Sequence, residues 1–181
     1  MLNQALFEEL KDKNNPFLDY ERELFKTKFD KFVEVEKKRF QEGYLIFALE
    51  NEYWAKYNDI TIHGKIDRVD INDNMLSILD YKTSSSLKVD TLKTYEKSSD
   101  FQLEFYYLLL SKNIKRDIKE VAYYDLNNSK ILKEQMLESK LELLYKTFDE
   151  IKTSSQKPVK FDMCENKNKC QFCDYKILCK N

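Results

Sequence analysis

The chain of 181 residues has 42% hydrophobic and 35% charged residues and a formal net charge of −1. This length suffices for one domain with a substantial core, and the near-neutral charge argues against binding nucleic acid through a general basic field. With only two glycines and two prolines, the sequence contains no glycine-rich phosphate loop and no ATP-binding motif.

The sequence also bears on the cellular compartment. No apolar run approaches the length of a membrane span, and the first residues lack the basic-then-apolar layout of a signal peptide. We therefore expect a cytosolic protein. In that reducing compartment the four cysteines are expected to be metal ligands or free thiols rather than disulfides.

The first predicted element is a long amphipathic helix over residues 17–42, after an N-terminal extension of residues 1–16. Its apolar residues recur at close to helical spacing, and Gly43 follows as a stop signal. These apolar positions are Leu18, Phe25, Phe29, Phe32 and Phe40.

Three strands are predicted next, over residues 44–57, 60–71 and 75–83. The first two are rich in aromatic and β-branched residues. The polar turns Asn58-Asp59 and 72–74 separate the strands. The three strands should therefore form a meander.

The second half of the chain alternates helix and strand. A polar loop leads to an apolar helix over residues 101–112, which Ser98, Ser99 or Asp100 can cap. A fourth strand is predicted over residues 120–126. A helix over residues 133–151 follows, with an inward face formed by Met136, Leu137, Leu141, Leu144 and Phe148. This order predicts an α/β domain whose sheet is covered by helices.

The third strand ends in a distinctive charged pattern. Asp80 and Lys82 are two residues apart, so in a strand they lie on one face. If the preceding strand pairs with it as a hairpin, Asp67 reaches the same place. Two carboxylates beside a lysine form a site for a hard divalent cation such as Mg²⁺ or Mn²⁺, which could activate water against a phosphodiester.

A D-x-K pattern on a solvated strand face is common and usually has no function. Here the pattern follows the apolar run Met75-Leu76-Ser77-Ile78-Leu79, which is typical of a buried strand, where an unpaired charge is costly. The context therefore favours a functional site.

Four motifs in order carry a resemblance to a known family. They are Gly64-x-Ile66-Asp67-Arg68-Val69-Asp70, Leu79-Asp80-Tyr81-Lys82-Thr83, Gln102-x-x-x-Tyr106 and Cys170-x2-Cys173-x5-Cys179. Together they resemble the PD-(D/E)xK nuclease superfamily, and within it the RecB-like branch, which includes the C-terminal nuclease domain of AddB and CRISPR-associated iron–sulfur nucleases.

The resemblance implies a restriction-endonuclease-like core with a central mixed β-sheet flanked by helices. It covers roughly residues 17–181. We expect the nuclease core to span residues 17–160 and a Cys-rich cluster-binding tail to span residues 161–181.

The resemblance also implies roles for the site residues. Asp67 and Asp80 would bind the metal, with the backbone carbonyl of Tyr81 as a third protein ligand. Lys82 would orient or deprotonate the attacking water and offset charge in the transition state. Four residues apart on one helical face, Gln102 and Tyr106 would line the cleft.

Several polar residues have weaker signals. Glu36 lies on the apolar stripe of the first helix, so it is either capped by an Arg or Lys or aimed into a site. The pair Glu50 and Glu52 is better explained by an exposed strand face. Arg68 and Asp70 are expected to form a structural ion pair near the hairpin turn.

One feature departs from the family pattern. RecB-like nucleases usually place a metal-binding His on a helix upstream of the first strand, but no His precedes His63. Either the chain begins downstream of that helix, or the site lacks that ligand. We interpret His63 itself as structural.

The cysteines predict a second metal centre. Cys164, Cys170, Cys173 and Cys179 lie in an apolar-poor tail that could hardly fold unaided. Zinc sites favour two close Cys pairs, whereas this spacing resembles the [4Fe–4S] arrangement of AddB-type nucleases. In those relatives the fourth ligand usually lies far upstream, where this sequence has no Cys. Either Cys164 substitutes for it, or the ligand belongs to a missing N-terminal region. Zinc and free thiols remain the alternatives.

We therefore expect an Mg²⁺- or Mn²⁺-dependent deoxyribonuclease. The resemblance suggests an exonuclease on single-stranded DNA. It also suggests the nuclease module of a helicase–nuclease in recombinational repair, with a helicase subunit or a fused helicase-like region as partner. The alternative is a catalytically inactive nuclease-like module that binds DNA or docks a partner and is stabilised by an Fe–S or Zn centre.

Overall fold

The computed structural model describes residues 16–84, 86–156, 170–171 and 173–174. The chain divides into two compact units, which are Met1–Tyr145 and Lys146–Asn181. The first unit contains the whole β-sheet. None of the helices within the described ranges is long and apolar enough to cross a membrane.

Helix α1 spans Pro16–Gln41, within one residue of the predicted bounds. Gly43 ends it with φ +89°, a left-handed conformation that a residue with a Cβ adopts at a cost. The Gly43 N–H donates to the Phe40 carbonyl at 3.1 Å, so the chain leaves the helix and turns into the sheet.

Five strands form one mixed sheet, in the order β1-β2-β3-β4-β5. They are β1 Leu45–Tyr57, β2 Ile60–Asn72, β3 Met75–Lys82, β4 Ile118–Asp125 and β5 Lys130–Lys133. All neighbouring pairs are antiparallel except the parallel pair β3 and β4. The predicted meander is confirmed. Its turns contain Asn58, Asp73 and Asn74 at positive φ, which Asn and Asp tolerate better than most residues.

Helix α2 spans Gln102–Asn113, as predicted within one residue. Of the three proposed caps, Asp100 serves the helix start, since its Oδ1 accepts the Gln102 N–H at 3.0 Å.

The predicted helix over residues 133–151 was wrong at its start. Residues 130–133 form β5 against β4, and helix α3 begins at Leu137 and ends at Ser155. A four-residue edge strand without fully buried positions gives too short an alternation to be read from sequence. The inward face holds for Leu141, Leu144 and Phe148, which are buried.

The core is centred on the β3–β4 pair. Leu76, Ile78 and Leu79 of β3 and Val121 and Ala122 of β4 are almost completely buried. Such continuous burial is typical of parallel strands covered on both faces.

Close packing brings α2 onto the hairpin formed by β1 and β2. A Cβ added at Gly64 would lie 2.8 Å from Leu109 Cδ1 and 3.3 Å from Phe105 Cε1. The missing side chain of Gly64 thus lets helix and strand approach.

Strand β2 separates from β3 on the N-terminal side of Arg68. The β2–β3 ladder ends at the pair Arg68–Leu79, whereas β1 and β2 stay paired as far as Tyr57–Ile60. The fold is therefore an α/β structure with a mixed sheet flanked by helices, as expected. The divergence of β2 from β3 opens the space in which the predicted site residues meet.

Candidate active site

Three elements converge on the end of β3. Strand β3 supplies Asp80 and Lys82, β2 supplies Asp67, and the first turns of α2 supply Gln102 and Tyr106. The structure brings all five together through the contacts given below. The predicted clustering is thus observed, while their chemical roles remain to be tested.

Asp67 occupies the point where β2 leaves β3. With no further backbone pairing between the strands there, its Oδ2 accepts the backbone N–H of Tyr81 at 2.9 Å. This bond satisfies the Tyr81 N–H, which has no backbone partner on β2 because the two strands have separated there. The Asp67 side chain is thereby held beside the end of β3.

Asp80, Lys82 and Gln102 form a closed ring of polar contacts. Lys82 Nζ lies 2.7 Å from Asp80 Oδ2 and donates to Gln102 Oε1 at 2.6 Å. Gln102 Nε2 donates to Asp80 Oδ1 at 2.9 Å and to the Tyr106 hydroxyl at 3.0 Å. The amide of Gln102 therefore holds both charged groups in place.

Burial shapes the electrostatics of this ring. Only 2% of the Asp80 side chain is exposed, against 29% for Lys82. Burial raises the pKa of Asp80; the Lys82 ammonium opposes this effect, while the charge of Asp67 adds to it. Burial also raises the pKa of Tyr106, which keeps its hydroxyl protonated.

Sequence reasoning missed Tyr123 and the full role of Asp100. Tyr123 lies opposite Asp80 in the β3–β4 ladder. Its ring centroid is 5.3 Å from Lys82 Nζ, and its hydroxyl donates to Asp100 Oδ2 at 2.8 Å. Asp100 thus supports both Gln102 and Tyr123. Its place before α2 was a visible capping signal, but the position of Tyr123 depends on a strand register that the sequence does not reveal.

The oxygen donors fit a hard divalent ion. Asp67 and Asp80 offer two carboxylates, and Mg²⁺ is often bound by one or two carboxylates while keeping several waters. Within the described residues no group of three or more His, Cys, Asp or Glu side chains could hold a metal ion. A resident ion here would therefore depend on the two aspartates, backbone carbonyl oxygen and water.

The side chain of Tyr81 points away from this site. Its hydroxyl accepts from Arg68 Nη1 at 3.1 Å, and its ring packs against Tyr124 with centroids 5.6 Å apart. The backbone N–H of Tyr81 contacts Asp67, and the expected role of the Tyr81 carbonyl as a metal ligand stays a prediction.

A buried ion network lies beside Tyr81. Asp70 accepts from Arg68 Nε at 2.7 Å and from Arg39 Nη2 at 2.7 Å, and Arg68 Nη1 lies 2.7 Å from Glu36 Oε2. The predicted Arg68–Asp70 pair is thus confirmed as a contact. Of the two alternatives for Glu36, capping by an arginine is the one observed.

A second buried network, which the sequence did not suggest, supports α2. The Lys140 ammonium lies 3.0 Å from Glu134, 3.2 Å from Glu104 and 3.4 Å from Asp90. Burial raises the pKa of Glu104 to about 7, with Lys140 opposing that effect. This cluster joins the active-site helix to the loop before it.

The other acidic candidates lie on the hairpin surface. Glu50 forms an ion pair with Lys65, and Glu52 Oε2 lies 3.4 Å from His63 Nε2. Their side chains are 59% and 62% exposed, so the expected exposed strand face is observed.

The cysteine centre falls largely outside the described residues. Cys164 and Cys179 lie there entirely, whereas Cys170 and Cys173 are described and form no disulfide. The Cys173 N–H lies 3.4 Å from the Cys170 carbonyl, a turn that keeps these two residues close. The predicted ligand set stays a prediction.

No curated protein matches the chain significantly. One solved structure, described as "Crystal structure of SSO0001", shares 18% identity over 82% of this chain and 66% of that chain, with a TM-score of 0.38. That likeness is too weak to support a functional argument. A family model for the PD-(D/E)XK nuclease superfamily matches residues 2–180. Since this match spans nearly the whole sequence and the aspartate–lysine centre is assembled, the chain belongs to the PD-(D/E)XK nuclease superfamily.

Proposed function

We propose that the chain is a metal-dependent DNA nuclease whose hydrolytic centre is Asp67, Asp80 and Lys82. One observation carries the assignment: Lys82 contacts Asp80 and Gln102 at once, at 2.7 and 2.6 Å, and Asp67 adjoins the same strand end. A lysine serving only as a surface charge would not need both a buried carboxylate and a half-buried amide to hold it.

The chain's own residues divide the work of phosphodiester hydrolysis. Asp67 and Asp80 would bind the metal through carboxylate oxygens, with the Tyr81 carbonyl as third protein ligand. When bound, Mg²⁺ or Mn²⁺ supplies Lewis-acid polarisation and a more acidic water. Lys82 would orient the attacking water or take its proton, and its positive charge would offset the charge that develops on the phosphate oxygens.

Gln102 and Tyr106 act on the orientation of these groups. Gln102 donates to Asp80 and accepts from Lys82, so it sets the distance between carboxylate and ammonium. Tyr106 accepts from the same amide and fixes its rotation. The family resemblance suggests that this pair also contacts the substrate strand.

Cleavage of end-labelled single-stranded DNA with Mn²⁺ or Mg²⁺, and with EDTA, tests the proposal. Asp80→Ala should abolish cleavage while the fold persists, since removing this buried carboxylate from a metal-free site relieves its repulsion by Asp67. Lys82→Ala should abolish cleavage as well. Asp117→Ala, an exposed residue, is the matched control and should cleave normally. Undiminished cleavage by Asp80→Ala would overturn the assignment. A wild-type protein that binds DNA but never cleaves it would favour the inactive-module alternative.

The finer proposal is an exonuclease acting on single-stranded DNA in the manner of RecB-like enzymes. It is supported by the motif set Gly64–Asp70, Leu79–Thr83 and Gln102-x-x-x-Tyr106. A circular single strand should resist the enzyme, whereas a linear strand of the same sequence should be degraded from an end. Comparable cleavage of both would make it an endonuclease.

The same motif set supports a place as the nuclease module of a helicase–nuclease in recombinational repair. A module of this kind degrades strands that a helicase has separated. Duplex DNA should therefore be degraded faster when a helicase and ATP are added, and an unchanged rate would contradict the coupling.

A structural [4Fe–4S] cluster held by Cys164, Cys170, Cys173 and Cys179 completes the proposal. It is supported by the spacing of these residues in an apolar-poor tail and by the coupling of metal binding to folding. Anaerobically purified protein should be brown, and bleaching in air should make the tail from about Phe161 protease-sensitive. Zinc at full occupancy in an iron-replete preparation would change the cluster type. Resistance to protease in a metal-free protein would contradict both versions.

A further inference from the structure

An unusual aromatic pair lies on the exposed side of the β1–β2 hairpin. Trp54 is 60% exposed, and its ring stacks on the His63 ring with centroids 3.8 Å apart and an interplanar angle of 19°. A tryptophan held rigid and left uncovered presents a large apolar face to solvent. That arrangement suits a ligand with a flat ring.

The pair spans the β1–β2 hairpin, whose second strand leads to the candidate site. Trp54 is directly opposite His63 in the β1–β2 ladder, and Asp67 follows His63 by four residues on β2. At roughly 3.4 Å per residue the stack is at most about 14 Å from Asp67 along the strand. This distance equals about four stacked nucleotides, and fewer in an extended strand.

Contacts on the hairpin connect the pair to the site. Lys65, between His63 and Asp67, pairs with Glu50, and Glu52 pairs with His63. These diagonal pairs place the alternate residues of both strands on one face. Lys65 pairs with Glu50, and His63 lies against Glu52, so both acidic side chains of this face already have a contact on the hairpin.

Positive charge lies at the edge of the stack. Trp54, Lys56, Thr61 and Lys112 line a shallow pocket of about 450 Å³. Aromatic rings flanked by lysines are the usual means of binding single strands without sequence preference. Both features adjoin the β1–β2 hairpin, whose second strand contains Asp67.

We propose that the Trp54–His63 stack is a base-stacking platform for the single strand of nucleic acid that occupies the site, contacting a base within about four nucleotides of the scissile phosphate. The inference rests on the proposed nuclease function. It adds a binding site that holds the strand next to the hydrolytic centre.

The test uses Trp54 as its own probe, since it is the only tryptophan of the chain. In EDTA, where no cleavage occurs, adding oligothymidylate to the full chain should quench the Trp54 fluorescence. Anisotropy of a labelled oligonucleotide should show about tenfold weaker binding by Trp54→Ala, with a smaller loss for Trp54→Phe, which keeps a ring. Tyr20→Ala, which removes another exposed aromatic residue, should bind normally.

Several outcomes separate this inference from the proposed nuclease function. Asp80→Ala should quench as the wild type does, even though it no longer cleaves. Trp54→Ala should raise KM for long strands without changing kcat. A strand with a single abasic nucleotide should bind more weakly only when that nucleotide lies within about four nucleotides of the scissile phosphate. Unquenched fluorescence with unchanged affinity of a folded Trp54→Ala would overturn the platform. Trp54 fluorescence that falls with rising protein concentration in the absence of DNA would mean that this surface contacts another copy of the protein, and this result would also overturn the platform.

Discussion

Asp70 is the centre of the buried network, and its replacement by Asn gives a sharp test of the fold. The carboxylate is 0% exposed and accepts three hydrogen bonds, at 2.7 Å from Arg39 Nη2 and at 2.7 and 3.0 Å from Arg68. Asn keeps the side-chain volume but removes the charge. Its NH₂ group would also point N–H donors at the guanidinium N–H donors of the arginines. Two guanidinium groups are then left without their shared anion.

The magnitude follows from these contacts. Breaking a buried ion pair by removing one partner costs about 3–5 kcal/mol, so we expect Asp70→Asn to lose about 4 kcal/mol of unfolding free energy. For a chain of this size each kcal/mol corresponds to about 2–4 °C, which places Tm lower by roughly 8–16 °C. Glu36 stays paired with Arg68 at 2.7 Å and limits the loss.

Urea unfolding followed by circular dichroism measures this change directly. Asp73→Asn is the matched control, because Asp73 is exposed at φ 47° in the β2–β3 turn, a conformation that Asn accepts. It should be neutral within about 0.5 kcal/mol. The cleavage rate per folded Asp70→Asn molecule should match the wild type, since Asp70 contacts none of the site residues. A loss below about 1 kcal/mol would refute the reasoning.

Three further changes have defined outcomes. Gln102→Ala should strongly reduce cleavage while the unfolding free energy changes by no more than about 1 kcal/mol, as for a partly exposed polar residue; a large stability loss with unchanged turnover would make Gln102 a border residue of the core. Glu104 has its pKa raised to about 7 in the folded chain, so it favours folding while protonated, and this contribution is lost as pH rises from its ordinary range near 4.5 through about 7. Glu104→Gln should therefore flatten the decline in stability between pH 5 and pH 8, measured by urea unfolding, and an unchanged decline would contradict the shift. Gly43→Ala, at φ +89°, should cost about 1–2 kcal/mol, and a neutral result would mean that the turn rearranges.

The sequence predicted much of the site because the motif residues lie on elements with strong local signals. The apolar run before Asp80 indicated a buried strand, and the spacing of Gln102 and Tyr106 indicated one helical face. Both elements were found within two residues of the predicted bounds. Asp67 lies near Asp80 because the turn at Asp73 and Asn74 folds β2 back along β3, and this turn was visible in the sequence as a polar break.

Features that depend on register or on distant pairing were not predictable. Tyr123 reaches Lys82 because β4 pairs in parallel with β3 in one register, and nothing local specifies that register. Lys140 joins Glu104 and Asp90 across separate elements. Strand β5 was missed because four residues without fully buried positions carry no clear periodicity.

Binding of Mn²⁺ tests the central claim most directly, since Asp67 and Asp80 are proposed to form one metal site. Titration of the metal-free protein, followed by loss of the free-Mn²⁺ electron paramagnetic resonance signal, should show binding to the wild type and to Asp117→Ala. Asp67→Ala and Asp80→Ala should each bind at least about tenfold more weakly, as loss of one of two carboxylate ligands requires. Wild-type affinity in both aspartate variants, or no binding by the wild type, would contradict the assignment of the hydrolytic centre.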